Sequence, residues 1–127
     1  MQIMPKMDLV LRKIADASLA DKERVVIKVL KTCNLNRYIL FDTTYDENGI
    51  RSDKHRHVYV FPNLIVNEGD FIWLYTKQGA YHAHDNKSGT KTHNLYMNLK
   101  TTIWNNSGDT AYLLHYDDWN SVSYTDN

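Results

Sequence analysis

The 127 residues predict a single all-β domain over 1–127, an antiparallel sandwich or barrel. Two observations carry that prediction. Short runs rich in β-branched and aromatic residues recur along the chain with turn residues between them, and amphipathic helical periodicity is nearly lacking. The composition agrees: 43% hydrophobic and 24% charged residues are ordinary for a globular chain, and zero net charge argues against disorder.

Met7 to Ile14 reads as a first strand, with Leu9 and Leu11 on one side and Val10 on the other. Residues 24–30, Arg-Val-Val-Ile-Lys-Val-Leu, place Val25, Ile27 and Val29 on one face. Residues 37–44 form a third candidate. His57 to Phe61 is a fourth, stopped by Pro62, which cannot donate to a ladder. Leu64 to Val66 is short and ends on Asn67-Glu68-Gly69-Asp70, a turn signal. In Phe71 to Thr76 the aromatics Phe71, Trp73 and Tyr75 alternate with Ile72 and Leu74. Leu95, Met97 and Leu99 alternate with Tyr96, Asn98 and Lys100. The Asn105-Asn106-Ser107-Gly108-Asp109 turn leads into a strand over Ala111 to Tyr116, and Trp119 to Thr125 is a weaker last strand. The polar stretches 45–56 and 82–94 are expected to be loops.

Several function classes drop out. Fifteen Lys and Arg balance fifteen Asp and Glu, so nucleic acid is an unfavoured partner. Charge is nonetheless uneven, +3 over residues 1–62 and −3 over 63–127. Cys33 is the only cysteine, so no intrachain disulfide forms, and it reads as a buried, inert thiol. No run is long and apolar enough to span a bilayer. Met1 to Ala20 carries charges throughout and is no signal peptide. The expected location is therefore cytoplasmic if the first residue is native, and secreted or envelope-associated if a leader was removed.

No catalytic motif is present: the chain has no Gly-x-Ser-x-Gly elbow, no glycine-rich phosphate loop and no EF-hand loop. His55 with His57, and His82 with His84, sit two apart, which on a strand puts each pair on one face. With Asp85 beside His84, this allows a metal-dependent enzyme built on His82, His84 and Asp85. The plainer reading is loop histidines, since a structural zinc site needs four ligands, and no metal or cofactor is assigned. Nine Tyr and three Trp are the notable surplus. Tyr45, Tyr81 and Tyr124 lie in or beside loop candidates, where rings anchor protein partners or stack on sugars.

The segment from His57 to His115 resembles a lamin-tail domain. The matching residues are Tyr59-Val60-Phe61-Pro62, the strand closing on Glu68-Gly69-Asp70, Phe71-Ile72-Trp73-Leu74-Tyr75-Thr76, and above all Ile103-Trp104-Asn105-Asn106-Ser107-Gly108-Asp109-Thr110-Ala111-Tyr112-Leu113. Bacterial members often carry Trp-Asn-Asn-x-Gly-Asp-Thr-Ala-x-Leu there. Glu23 to Leu30 and Tyr38 to Asp42 are similar to earlier family strands, so the resemblance spans roughly residues 8–118. It departs in the His-, Asp- and Lys-rich stretch 80–94 and at Asp117-Asp118, where a turn glycine is common.

The resemblance implies an immunoglobulin-like β-sandwich of about eight or nine strands, with Trp104, Asn105, Asn106, Gly108 and Asp109 as structural motif residues. It implies a non-catalytic module that mediates protein–protein attachment. The expected contact residues are Tyr45, His55, His57, Tyr81, His82, His84 and Asp85, in loops 45–56 and 80–94. An open sheet edge is the other expected surface, where a second copy can also pair. The alternative is a carbohydrate- or polymer-binding sandwich that uses exposed aromatics.

Overall fold

The structure, a computed structural model, describes residues 7–43, 57–104 and 109–125. The expected contacts Tyr45 and His55 and the motif residues Asn105, Asn106 and Gly108 lie outside these. The described residues are all-β, with a lone 3₁₀ turn at Leu35–Arg37. The strands are β1 (Leu9–Ala15), β2 (Arg24–Val29), β3 (Cys33–Asn34), β4 (Tyr38–Thr43), β5 (Val58–Val60), β6 (Ile65–Val66), β7 (Phe71–Tyr75), β8 (His82–Asp85), β9 (Lys91–Tyr96) and β10 (Thr110–His115). They form a five-stranded sheet β1-β2-β7-β9-β8, a three-stranded sheet β10-β4-β5 and a two-stranded ribbon β3-β6, a sandwich-like arrangement.

Period-2 alternation places the core. Leu9, Val25, Ile27, Val29, Ile72, Leu74 and Leu95 from the larger sheet pack with Tyr38, Leu40 and Phe61 from the smaller sheet and its flank. Leu35 and Val66 seal the ribbon side, and Ile103 and Trp104 add to the same cluster. Trp104 is 3% exposed, as its motif position led one to expect, yet its indole Nε1 has no hydrogen-bond partner among the described residues.

Three expectations are corrected. First, 82–94 is not a loop: it holds β8, a turn and most of β9. Hydropathy hides these strands because Thr92, His93 and Asn94 are buried polar residues with partners. Thr92 donates to Asn86 Oδ1 at 3.0 Å, and Asn94 Nδ2 donates to the His82 carbonyl at 3.1 Å. Second, the strand expected around Leu95 to Leu99 ends at Tyr96, and Asn98 turns the chain at φ 60. Third, residues 119–125 carry no strand, although Trp119, Val122 and Tyr124 are 64, 96 and 90% exposed. Alternation alone makes no ladder: a strand needs a neighbour for its N–H and C=O groups.

The sheet also departs from all-antiparallel pairing, since β7 and β9 run parallel. A parallel pair needs a crossover of about a dozen residues or more. Residues 76–90 supply it and carry β8 to the outer side of β9. The turn predicted at Asn67–Asp70 is present: the Asp70 N–H donates to the Asn67 carbonyl at 2.9 Å and Gly69 sits at φ 91, a conformation that costs glycine no steric strain.

Candidate binding face

Residues paired across a sheet share a face, so the registers define what the larger sheet shows to the outside. Val26 pairs with Lys13 and Trp73, Arg24 with Tyr75, and Lys28 with Phe71. Across the parallel pair Trp73 meets Asn94 and Tyr75 meets Tyr96, and beyond them His82 meets Asn94 and His84 meets Thr92. The outer face is therefore a patch of rings on β7, β9 and β8, flanked by basic residues of β1 and β2.

The rings touch. Tyr75 and Tyr96 stack at 5.3 Å between centroids and 14° between planes. Trp73 meets Tyr75 edge-on at 6.5 Å and His84 at 5.5 Å, and His82 stacks on Tyr96 at 6.1 Å. Each β7 ring carries a cation: Lys28 Nζ lies 4.2 Å from the Phe71 centroid, the Arg24 guanidinium 4.6 Å from Trp73, and Lys77 Nζ 5.0 Å from Tyr75. Burial, with Tyr75 alongside, holds the Tyr96 phenol above its ordinary pKa, so it stays neutral at physiological pH.

A cleft of about 370 Å³ opens in this face. Val26, Phe71, Trp73 and Thr92 line it, Lys13 and Arg24 stand on one side, and Asn86 and Ser88 of the β8–β9 turn on the other. No carboxylate lines it. Arg24 is held by Asp16 Oδ2 and the Lys22 carbonyl, both at 2.8 Å, while Lys13 is exposed. A larger concavity of about 460 Å³ is lined mostly by polar residues, Asp21, Lys77 and Lys100 among them, and has only Ala20 and Leu99 as apolar walls.

The predicted contact residues separate. His82 and His84 join the outer face, with Asn94 Nδ2 3.0 Å from His84 Nδ1. Asp85 is exposed and pairs with Lys91 at 3.0 Å. No group of three or more His, Cys, Asp or Glu able to hold a metal occurs among the described residues. Tyr81 points its hydroxyl at His93 Nδ1, 2.9 Å away, while His93 Nε2 lies 2.8 Å from Asp70 Oδ2. The carboxylate only accepts, so Nε2 carries a proton and donates it to Asp70. His57 precedes β5 at the edge of the smaller sheet, where its N–H donates to Asp42 Oδ1 at 2.7 Å and its Nδ1 lies 3.2 Å from Asp42 Oδ2. Cys33 is half-buried, and burial together with the Asp8 charge pushes its thiol up to about 11, leaving it protonated and unreactive at neutral pH.

Sequence reasoning passed over Arg24, Lys28, Phe71, Trp73, Tyr75 and Tyr96. A signal for three of them was in plain view: one face of Phe71–Tyr75 is wholly aromatic and the other wholly aliphatic. The cations come from a distant strand and had no local signal.

Gly79 packs against the Tyr96 ring of this face. A Cβ there would lie 2.5 Å from Tyr96 ring carbons, closer than atoms pack. Gly79→Ala is expected to displace the Tyr96 ring from Tyr75 and to cost roughly 1–3 kcal/mol, as overpacking does. Thermal melts and the Tyr96 ring resonances check this; an unchanged ring environment would show that the loop yields instead.

Compared with protein-family models, with curated proteins and with solved structures, the chain matches none.

Proposed function

We propose that this protein is a non-catalytic attachment module of lamin-tail type that holds a protein partner on the outer face of its larger sheet. The observation that carries the reading is the continuous patch of rings, each β7 ring bearing a cation, around a cleft that no carboxylate lines. Trp, Tyr and Arg are the residues that dominate protein interfaces. The lamin-tail part draws support from where the resembling residues sit: Phe61 and Trp104 are core residues, and Glu23 is wholly buried. No helix among the described residues is long and apolar enough to cross a membrane.

The carbohydrate reading fits this geometry less well. A sugar stacks on an open ring face, whereas here Tyr75 and Tyr96 cover each other and Lys28, Arg24 and Lys77 lie over the rings. Ring edges and cationic heads remain, which suits an acidic, aromatic peptide segment.

Arrays of acidic aromatic peptides and of oligosaccharides, probed in parallel, test the reading. Peptide retention is expected, with Trp73→Ala weakening it roughly 30-fold, about 2 kcal/mol for an interface anchor. Retention of oligosaccharides alone, or peptide retention indifferent to Trp73→Ala and Lys13→Glu, would overturn it.

A further inference from the structure

We infer that the cationic outer face of one copy receives the acidic, aromatic C-terminal segment of a second copy, giving head-to-tail self-association. The inference rests on the outer face being the binding face. Residues 117–125 bear no ladder and are exposed, with Trp119, Val122 and Tyr124 at 64, 96 and 90% exposure. Large apolar side chains held out in water signal an interaction surface. The segment's charge is one-sided: Asp117 and Asp118 open it, and no Lys or Arg follows Lys100 anywhere in the chain. The cleft is its counterpart, with Lys13 and Arg24 beside Phe71 and Trp73, and Asn86 and Ser88 as hydrogen-bonding groups. Charge complementarity of this kind selects partner and orientation.

Geometry favours a second copy over the same chain. The segment is rooted on the smaller sheet: the Tyr116 N–H donates to the Arg37 carbonyl at 3.1 Å, the Tyr116 hydroxyl to the Asn36 carbonyl at 3.2 Å, and Arg37 Nη1 to the Asp117 carbonyl at 2.9 Å. The cleft opens on the far side of the other sheet, so the chain's own segment must round an edge while a second copy approaches directly. Face and tail are different surfaces, so the contact is heterologous and propagates as a ring or an open chain of copies.

Sedimentation velocity over a concentration series at low and high salt tests this on the full chain. Mass is expected to rise with concentration and to fall back with salt. Lys13→Glu, a face variant, and Trp119→Ser/Tyr124→Ser, a tail variant, are each expected to weaken association at least tenfold. All three positions are exposed, so folding is preserved. Mixed, the two variants are expected to form a one-to-one dimer and nothing larger, because only one intact face–tail pair remains. A wild type that stays monomeric up to millimolar concentration overturns the inference, and so does a mixture that fails to dimerise. If peptide arrays still report retention that depends on Lys13 and Trp73, self-docking alone falls; if they report none, the binding face falls with it.

Discussion

Glu23→Ala is expected to cost about 3–5 kcal/mol, as breaking a buried hydrogen-bond network does. Glu23 is 0% exposed, and its carboxylate accepts four hydrogen bonds: from the Ser18 N–H at 2.9 Å, the Thr76 hydroxyl at 2.6 Å, the Ile103 N–H at 3.0 Å and the Trp104 N–H at 3.3 Å. One side chain thus ties the turn before β2, the end of β7 and the segment bearing Trp104. Alanine leaves three amides and a hydroxyl without acceptors, and unmet donors cost more than made bonds contribute. At roughly 4 °C per kcal/mol for a domain near this size, the melting temperature should fall by about 10–20 °C. Gln is expected to recover part of the loss, since one carbonyl oxygen still accepts while its amide group faces donors. A melt within a few degrees of wild type for Glu23→Ala would show that the network is not what joins these segments.

The second large effect is at Asp70 and His93, which are 3 and 5% exposed. Burial alone would raise the Asp70 pKa. The His93 hydrogen bond and the N–H groups of Asn67 and Lys91 outweigh it and hold the carboxyl below its ordinary value. The linkage sign follows. A carboxyl whose folded pKa lies below the unfolded value of about 4 stabilises the fold fully above that value and loses the contribution as pH falls through the folded pKa. Wild-type melting temperature should therefore drop as the medium is acidified past about pH 4. Asp70→Asn should start lower at neutral pH and show a shallower acid slope. His93→Phe should cost roughly 1–3 kcal/mol, since the buried Asp70 carboxylate loses one of its three donors and keeps the Asn67 and Lys91 N–H groups. Calorimetry from neutral to acid pH reads all three; parallel pH slopes for wild type and Asp70→Asn would remove Asp70 as the source of acid lability.

Much of the fold was legible because one face of most strands is plainly apolar. Val25, Ile27 and Val29 alternate strictly, as do Ile72 and Leu74, and both sets are in the core. The Asn67–Asp70 turn was equally readable from its residue types. β8 was missed because it is an exposed edge strand with no apolar face, and the first half of β9 because its buried residues are polar and satisfied: His93 reads as a surface residue until Asp70 and Tyr81 are set beside it. The terminal 119–125 segment erred the other way, having a strand's alternation without a neighbour.

The candidate site was less legible still. His82 and His84 share a face because the segment read as a loop is a strand, and Tyr81, Asp85 and His57 go to other surroundings. Arg24 and Trp73 lie far apart in sequence, and only the β2–β7 register brings a guanidinium onto an indole.

By itself the amino-acid sequence determined the class of structure, the inward face of β2 and β7 and the turn that aims β7, because period-2 burial and turn chemistry act over a few residues. Only the tertiary structure decided the parallel β7–β9 pairing, the burial of Glu23, Asp70 and His93, and the joining of cations to rings on one outer face. Each of these depends on which distant backbone supplies a partner, and hydrogen bonding and charge pairing leave no periodic trace in a linear chain.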